Sequence, residues 1–402
     1  MNSFQPKAYS SLFFVFMFER FYYYGIRSLL FLFMMKHLLF TTEKVETFSV
    51  FYLWIISLLP ILGGFMSDLW LGQKKALKWS VIAMISSCFL FTVSALMGSS
   101  FIFYIALFFM AIGGMLFKPA GYTTLSNLYN TGNDPRRDSG FTLIFVAISL
   151  GAFLAPLICG YLGEVIGWWL GFLIAGIFVI PILFLLKQLP TIMPSKESIS
   201  KTNNKNAFLT MLVILLVVYI PVYLGNASTE KTIFTQISIY NFTIPSSWIK
   251  GFGSLLTSIF YLIFPWIWIR LAEKDKEPSS VYKFLLGMIF LIIGLGLYDF
   301  IASRYQESET ISLSTIGIMT VFLSLSEICI APIITSFITR IAPKKWAMTF
   351  VGAWFALIGS FSILISFRSD LLSNLTPIII IVLIACCAIF LLLLRKMFTR
   401  SI

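Results

Sequence analysis

Charge is what this 402-residue chain has least of. Charged residues make up 11 %, under half of the roughly 25 % usual in soluble domains, so no water-facing surface of ordinary polarity can be built. A secreted, disordered or coiled-coil protein is excluded on that count. The only histidine, His37, falls near the outer end of the first apolar run and leaves no second imidazole for a catalytic triad or metal site in the interior. It reads as an interfacial polar residue. The five cysteines, Cys88, Cys159, Cys329, Cys386 and Cys387, lie in apolar stretches without CxxC spacing, which gives neither a disulfide framework nor a zinc site. They read as small core residues. Gly251-Phe252-Gly253-Ser254 and Gly294-x-Gly296 lack the Lys-Ser/Thr of a phosphate-binding loop. No enzyme, cofactor or metal site is expected.

What the chain has is apolar length: hydrophobic residues are 59 %, enough to fill repeated lipid crossings and far more than one soluble core can hold. At about 20 residues per crossing, twelve spans are expected, near 10–39, 46–69, 76–97, 101–128, 139–162, 166–187, 207–229, 248–271, 281–302, 311–341, 346–367 and 374–395. The first run carries Glu19 and Arg20 and has no small-residue cleavage site, so it reads as a span and not as a removed signal peptide. One stretch, Thr191 to Asn206, is rich in Ser, Lys, Asn and Thr and reads as a linker. The expected division is a six-helix bundle over 1–189, a linker over 190–206 and a second six-helix bundle over 207–402.

The net charge of +12 does not mark a nucleic-acid partner. Most of the lysines and arginines, among them Lys7, Lys74, Lys75, Lys78, Arg136, Arg137, Lys196, Lys201, Lys205, Lys344, Lys345 and Lys396, fall on one side of the expected spans. The excess therefore reports topology: a multi-pass protein of the cell membrane with both termini in the cytoplasm.

An ionised side chain at the bilayer centre costs about 2.5–3.5 kcal/mol even on the lenient insertion scale, so each one inside a span faces a cavity or a partner. The first span places Glu19, Arg20, Tyr23, Tyr24 and Arg27 on one helix face. Lys118, beside Pro119, lies too deep in the fourth span to snorkel, and Glu327 stands in the middle of the tenth, before Pro332. If all are ionised, Arg20, Arg27 and Lys118 against Glu19 and Glu327 leave one positive charge in excess. Cations in the first half and an acid in the second suit a zwitterion or a small organic anion, and a carboxylate with movable partners can bind and release a proton.

Six plus six spans about a linker, with Gly64-x-x-x-Asp68-x-x-x-Gly72-Gln73-Lys74-Lys75 after the second span, resemble the major facilitator transporters, an all-α membrane fold. Glu19-Arg20-Phe21-Tyr22-Tyr23-Tyr24-Gly25-Ile26-Arg27 further resembles the ExxERFxYYG motif, with its following Arg, of the proton-dependent oligopeptide transporters. Leu116-Phe117-Lys118-Pro119, Pro135 to Thr142, Gly151 to Leu157, Ser326-Glu327 to Pro332, Ala342-Pro343-Lys344 and Trp354 are similar to that family's later motifs. The resemblance implies that Arg27 and Lys118 take the peptide carboxylate, that Tyr23 and Tyr24 line the pocket, that Glu327 meets the amine, and that Trp354 belongs to the substrate site. It also implies that Glu19 and Arg20 serve proton coupling and a gating salt bridge with Lys118, and that protons are a partner through Glu19 and Glu327.

Several positions depart from the pattern. The motif's first Glu is Phe16, on the same face as Glu19; FYxxINxG becomes Ile144-Phe145-Val146-Ala147-Ile148-Ser149-Leu150-Gly151; and a second Asn is lost in Lys250-Gly251-Phe252-Gly253-Ser254. The seventh-span acid is replaced at best by Glu230, beside Lys231, and no extra helix pair joins the halves. The expected activity is proton-coupled di- or tripeptide symport by alternating access. The alternatives are a small organic anion or amphipathic solute on the same fold, with or without protons, and a ligand-binding receptor that does not cycle.

Overall fold

The computed structural model describes residues 8–129, 136–189, 204–224, 278–302, 313–367 and 377–393, with Gln5, Pro6, Asp134 and scattered positions between 260 and 276. Eleven helices follow one another in these residues: α1 (Tyr9–Lys36), α2 (Thr42–Met66), α3 (Gly72–Met97), α4 (Ser100–Asn127), α5 (Arg137–Ala155), α6 (Trp168–Gln188), α7 (Asn204–Ile214), α8 (Ser280–Ala302), α9 (Leu313–Ile341), α10 (Ala347–Phe367) and α11 (Pro377–Leu393). Two thirds of the expected eighth span, most of the linker and Glu230 lie outside the described residues, so α8 is the ninth expected span.

Sequence signals at the helix ends account for the boundaries. The Thr41 side chain accepts a hydrogen bond from the Lys44 amide, and Ser99 does the same for Ile102, so α2 and α4 begin on side-chain caps. α3 ends at Gly98 with φ +63°, and the chain turns from α2 into α3 at Gly72 with φ +69°, backbone that a side chain would strain. Between them Ser67–Leu71 is wound as a π-helix, so α2 and α3 leave no extended loop. α5 likewise continues in π-wound turns at Pro156–Gly160 and Leu162–Ile166, where the proline has no N–H to donate.

Among the described residues seven helical stretches are long and apolar enough to cross a membrane, one of them, Thr42–Met97, holding both α2 and α3. α1 is 28 residues, about 42 Å at 1.5 Å per residue. It is long enough to cross, but Glu19, Arg20 and the tyrosines from Tyr22 to Tyr24 interrupt its apolar run. Three of the five cysteines are buried as expected; Cys386 is exposed on α11 and Cys387 is half-buried, because that helix turns this face outward.

One core draws on α1 to α6 and takes in Met348 and Val351 of α10, while a second draws on α7 to α11. A small third cluster, Val146 of α5 against Ile328 of α9, joins the two halves. The halves also meet along α2 and α10, where small residues let the backbones touch. A Cβ at Gly64 would collide with the Met348 carbonyl, and one at Gly352 with the Pro60 carbonyl. The contact runs toward the end that carries Lys74, Lys75, Lys344 and Lys345, hereafter the basic end.

Gly64→Val is therefore expected to destabilise the folded protein by roughly 1–3 kcal/mol, the usual cost of overpacking. Gly114→Ala, where a Cβ would meet nothing within 4 Å, should not destabilise it. Thermal unfolding of both variants in detergent checks this, and equal midpoints would show that α2 and α10 do not need the close approach.

Candidate functional site

α1 delivers its charged face to the middle of the molecule. Glu19 is 2 % exposed, Arg20 is mostly buried, Tyr23 and Tyr24 are half-buried, and Arg27 is exposed. Tyr22 turns the other way and shares a hydrogen bond of 2.7 Å with the Ser87 hydroxyl, which anchors α1 on α3. The Glu19 carboxylate takes two hydrogen bonds from the adjacent guanidinium, 2.5 Å from Arg20 Nε and 2.9 Å from Arg20 Nη2. This forked geometry gives a buried carboxylate its best available compensation. The expected salt bridge to the fourth-helix lysine is not formed: among the described residues the Glu19 ion pair is with Arg20, because the neighbouring guanidinium can reach both oxygens at once.

Lys118 stands on α4 within electrostatic reach of Glu19, Arg20 and Arg27. Its ammonium lies 5.9 Å from the ring centre of Phe355, which comes from α10 and packs 4.9 Å from Tyr122 of α4. A second-half side chain thus covers the first-half cation. The guanidiniums of Arg20 and Arg27 lie 5.4 Å and 5.9 Å from the Tyr23 ring, so one phenol is flanked by both. Across the interface, Glu327 of α9 acts electrostatically on Tyr24, as do Arg20 and Arg27.

Arg27 and Glu327 are both exposed although each lies well inside its helix. Lipid would penalise either heavily, and both act electrostatically on Tyr24 of α1. Trp354 is different. It is 2 % exposed, within the second core, edge-on to Tyr219 at 5.8 Å. The structure brings Arg27, Tyr23, Tyr24 and Lys118 together with Glu327 within electrostatic reach, and buries Trp354 in the second core against Tyr219.

Phe16 occupies no titratable niche. It is fully buried and packs edge-on against Phe117 at 5.4 Å and Tyr122 at 5.0 Å. The missing carboxylate has been replaced by an aromatic plug behind Glu19. Ser149 and Phe145 are half-buried on α5.

The basic end is closed by polar contacts that cross the halves. Asp68 accepts from the Met348 and Thr349 amides at 3.2 Å and 2.7 Å and from the Thr349 hydroxyl, capping the start of α10. The sequence pattern identified Asp68; it did not identify the second set of contacts. Asp138 of α5 accepts 2.7 Å hydrogen bonds from Lys283 of α8 and from the Ser336 hydroxyl of α9. Arg137 donates to the Ser126 hydroxyl, the Thr339 hydroxyl and the Ser336 carbonyl. Lys283 is 1 % exposed. In the sequence it sits just inside a span end, where a snorkelling lysine is ordinary, and only an acid at the same end of the other half could have marked it.

Charges that lipid would reject are gathered here where the two helical bundles face each other, as a membrane transporter of a polar cargo requires. The chain belongs to the Major Facilitator Superfamily, whose family model matches residues 12–367. It is a transporter of that all-helical fold and not an enzyme. The peptide transporter YePEPT of Yersinia enterocolitica is 25 % identical over 87 % of this chain and 84 % of its own length. The di-/tripeptide transporter of Lactococcus lactis is 24 % identical over 87 % and 86 %. A crystal structure of the peptide transporter POT in complex with sulfate superposes with a TM-score of 0.62 at 18 % identity, covering 98 % of this chain and 95 % of that one.

Arg20→Gln should cost roughly 3–5 kcal/mol of stability, because it leaves the Glu19 carboxylate buried without its partner. A thermal midpoint equal to that of the unmodified protein would show that the pair contributes nothing.

Proposed function

We propose that this chain is a carrier of small zwitterionic peptides, moved by alternating access between the two bundles. The observation that carries this reading is that Arg27 and Glu327, opposite charges on opposite halves, are both exposed and both act on Tyr24. Arg27 and Lys118 take the carboxylate of the cargo, Tyr23 and Tyr24 flank it, and Glu327 takes the ammonium. Trp354 supports this wall from behind. The names of the Yersinia and Lactococcus relatives agree with such a cargo.

Proton coupling belongs to the same proposal. With Phe16 in place of an acid, the carboxylates that can gain and lose a proton near the cargo are Glu19, through exchange of its Arg20 partner, and Glu327. Lys118 and Arg20 are the cations whose pairing such exchange would alter. The basic end is the cytoplasmic one, by the excess of lysine and arginine there, in a cell membrane. A second reading, a small organic anion without an amide backbone, is favoured by one feature: Phe145 and Ser149 offer no side-chain amide to a peptide.

Calorimetric titration of the purified protein with a dipeptide, its C-terminal amide and its N-acetyl form tests both readings. The dipeptide should bind, and each blocked form should bind at least about tenfold more weakly, a loss of about 1.4 kcal/mol. Lys118→Ala should abolish the discrimination against the amide, and Glu327→Gln that against the acetylated form. Discrimination unchanged in both variants would overturn the assignment, and binding of small monocarboxylates in place of dipeptides would favour the second reading.

A further inference from the structure

One hydroxyl beside the charged face of α1 is left without a partner. Tyr52 stands on α2 with its ring stacked 6.0 Å from that of Phe48, one turn earlier on the same helix. Its hydroxyl is enclosed and makes no hydrogen bond among the described residues. It lies within electrostatic reach of Tyr23 and Arg27, the two α1 residues whose ring and guanidinium are 5.9 Å apart. Tyr22 is also within reach, but its own hydroxyl is committed to Ser87 of α3. Enclosing a hydroxyl without a partner is unfavourable, and a phenylalanine would make the same stack on Phe48 without that cost. The hydroxyl of Tyr52 is therefore surplus to packing.

The sign of the neighbouring charge decides what this hydroxyl can meet. The Arg27 guanidinium repels an ammonium and attracts an anionic oxygen, to which the phenol can donate its one O–H while the guanidinium donates from α1. We propose that Tyr52 is a specificity-determining residue of the cargo site, its hydroxyl donating a hydrogen bond to the cargo carboxylate that Arg27 holds. The assignment rests on the carboxylate reading of Arg27 given above and adds α2 to the helices that line the site. It holds for the carboxylate of a peptide and for that of a small organic anion alike. A C-terminal amide carries no negative charge, so Tyr52 contributes to the preference for a free carboxylate.

Tyr52→Phe keeps the ring on Phe48 and removes only the hydroxyl. Calorimetric titration of the full-length purified variant should show dipeptide binding weakened at least about tenfold, a loss of about 1.4 kcal/mol. Binding of the dipeptide's C-terminal amide should change by less than about twofold, since a hydrogen bond to an uncharged acceptor is the weaker one. Without cargo, the thermal midpoint should equal or exceed that of the unmodified protein, because no hydrogen bond within the chain is lost. Tyr22→Phe is the comparison: it removes the hydrogen bond to Ser87, so it should lower the midpoint and leave the ratio of dipeptide to amide affinity unchanged. Unchanged dipeptide affinity in Tyr52→Phe, an equal loss for dipeptide and amide, or a midpoint lowered as in Tyr22→Phe would overturn the role of Tyr52 and leave the reading of Arg27 standing. If the unmodified protein binds propionate and no dipeptide, the same loss is expected for propionate. Binding of neither by the unmodified protein would overturn the carboxylate reading and the role of Tyr52 with it.

Discussion

A charge inside a membrane-spanning helix must have either an opposite charge or water beside it, and the organisation of this protein follows from how each such charge is provided for. Glu19 is provided for locally by the forked guanidinium of Arg20. Arg27 lies against the Tyr23 ring, and Glu327 of the other half acts electrostatically on the neighbouring Tyr24. Asp138 and Lys283 are provided for by each other across the halves, which requires the bundles to meet at the basic end.

The closure itself combines two kinds of contact. Gly64 and Gly352 let α2 and α10 approach backbone to backbone, and Asp68 then sits directly on the amides at the start of α10. Small residues alone would give a contact without register. A carboxylate on two specific amides fixes how far α10 can slide. The polar groups at this interface are hydrogen-bonded partners that water could replace when the halves part, whereas the aromatic packing of Phe16, Phe117 and Tyr122 is internal to the first half and travels with it.

Much of this was legible in the sequence. Apolar run length located the helices, because lipid crossing imposes a fixed length on them, and the scarcity of charge singled out Glu19, Arg20, Arg27, Lys118 and Glu327. Sequence spacing put Glu19, Arg20, Tyr23, Tyr24 and Arg27 on one face of α1, and the structure keeps them together. Partner choice was not legible: whether Glu19 turns to Arg20 or Lys118 depends on side-chain reach in three dimensions. Nor was the depth of Trp354, which the resemblance assigns to the substrate site but which lies buried in the second core against Tyr219. Lys283 escaped notice because its partner is 145 positions away and a lysine near a span end is ordinary. Cys386 was read as core for want of any sign of which face α11 turns outward.

The replacement of an acid by Phe16 is the most consequential departure from the pattern of the oligopeptide transporters, since it removes a proton site and leaves Glu19 engaged with Arg20. Whether a carrier so built still moves peptide against its gradient is decided by uptake of a labelled dipeptide into proteoliposomes with and without an inward proton gradient. The account predicts saturable uptake, competed by unlabelled dipeptide and increased by the gradient. Uptake no greater than that of protein-free liposomes, from a preparation that is folded by thermal unfolding, would contradict it.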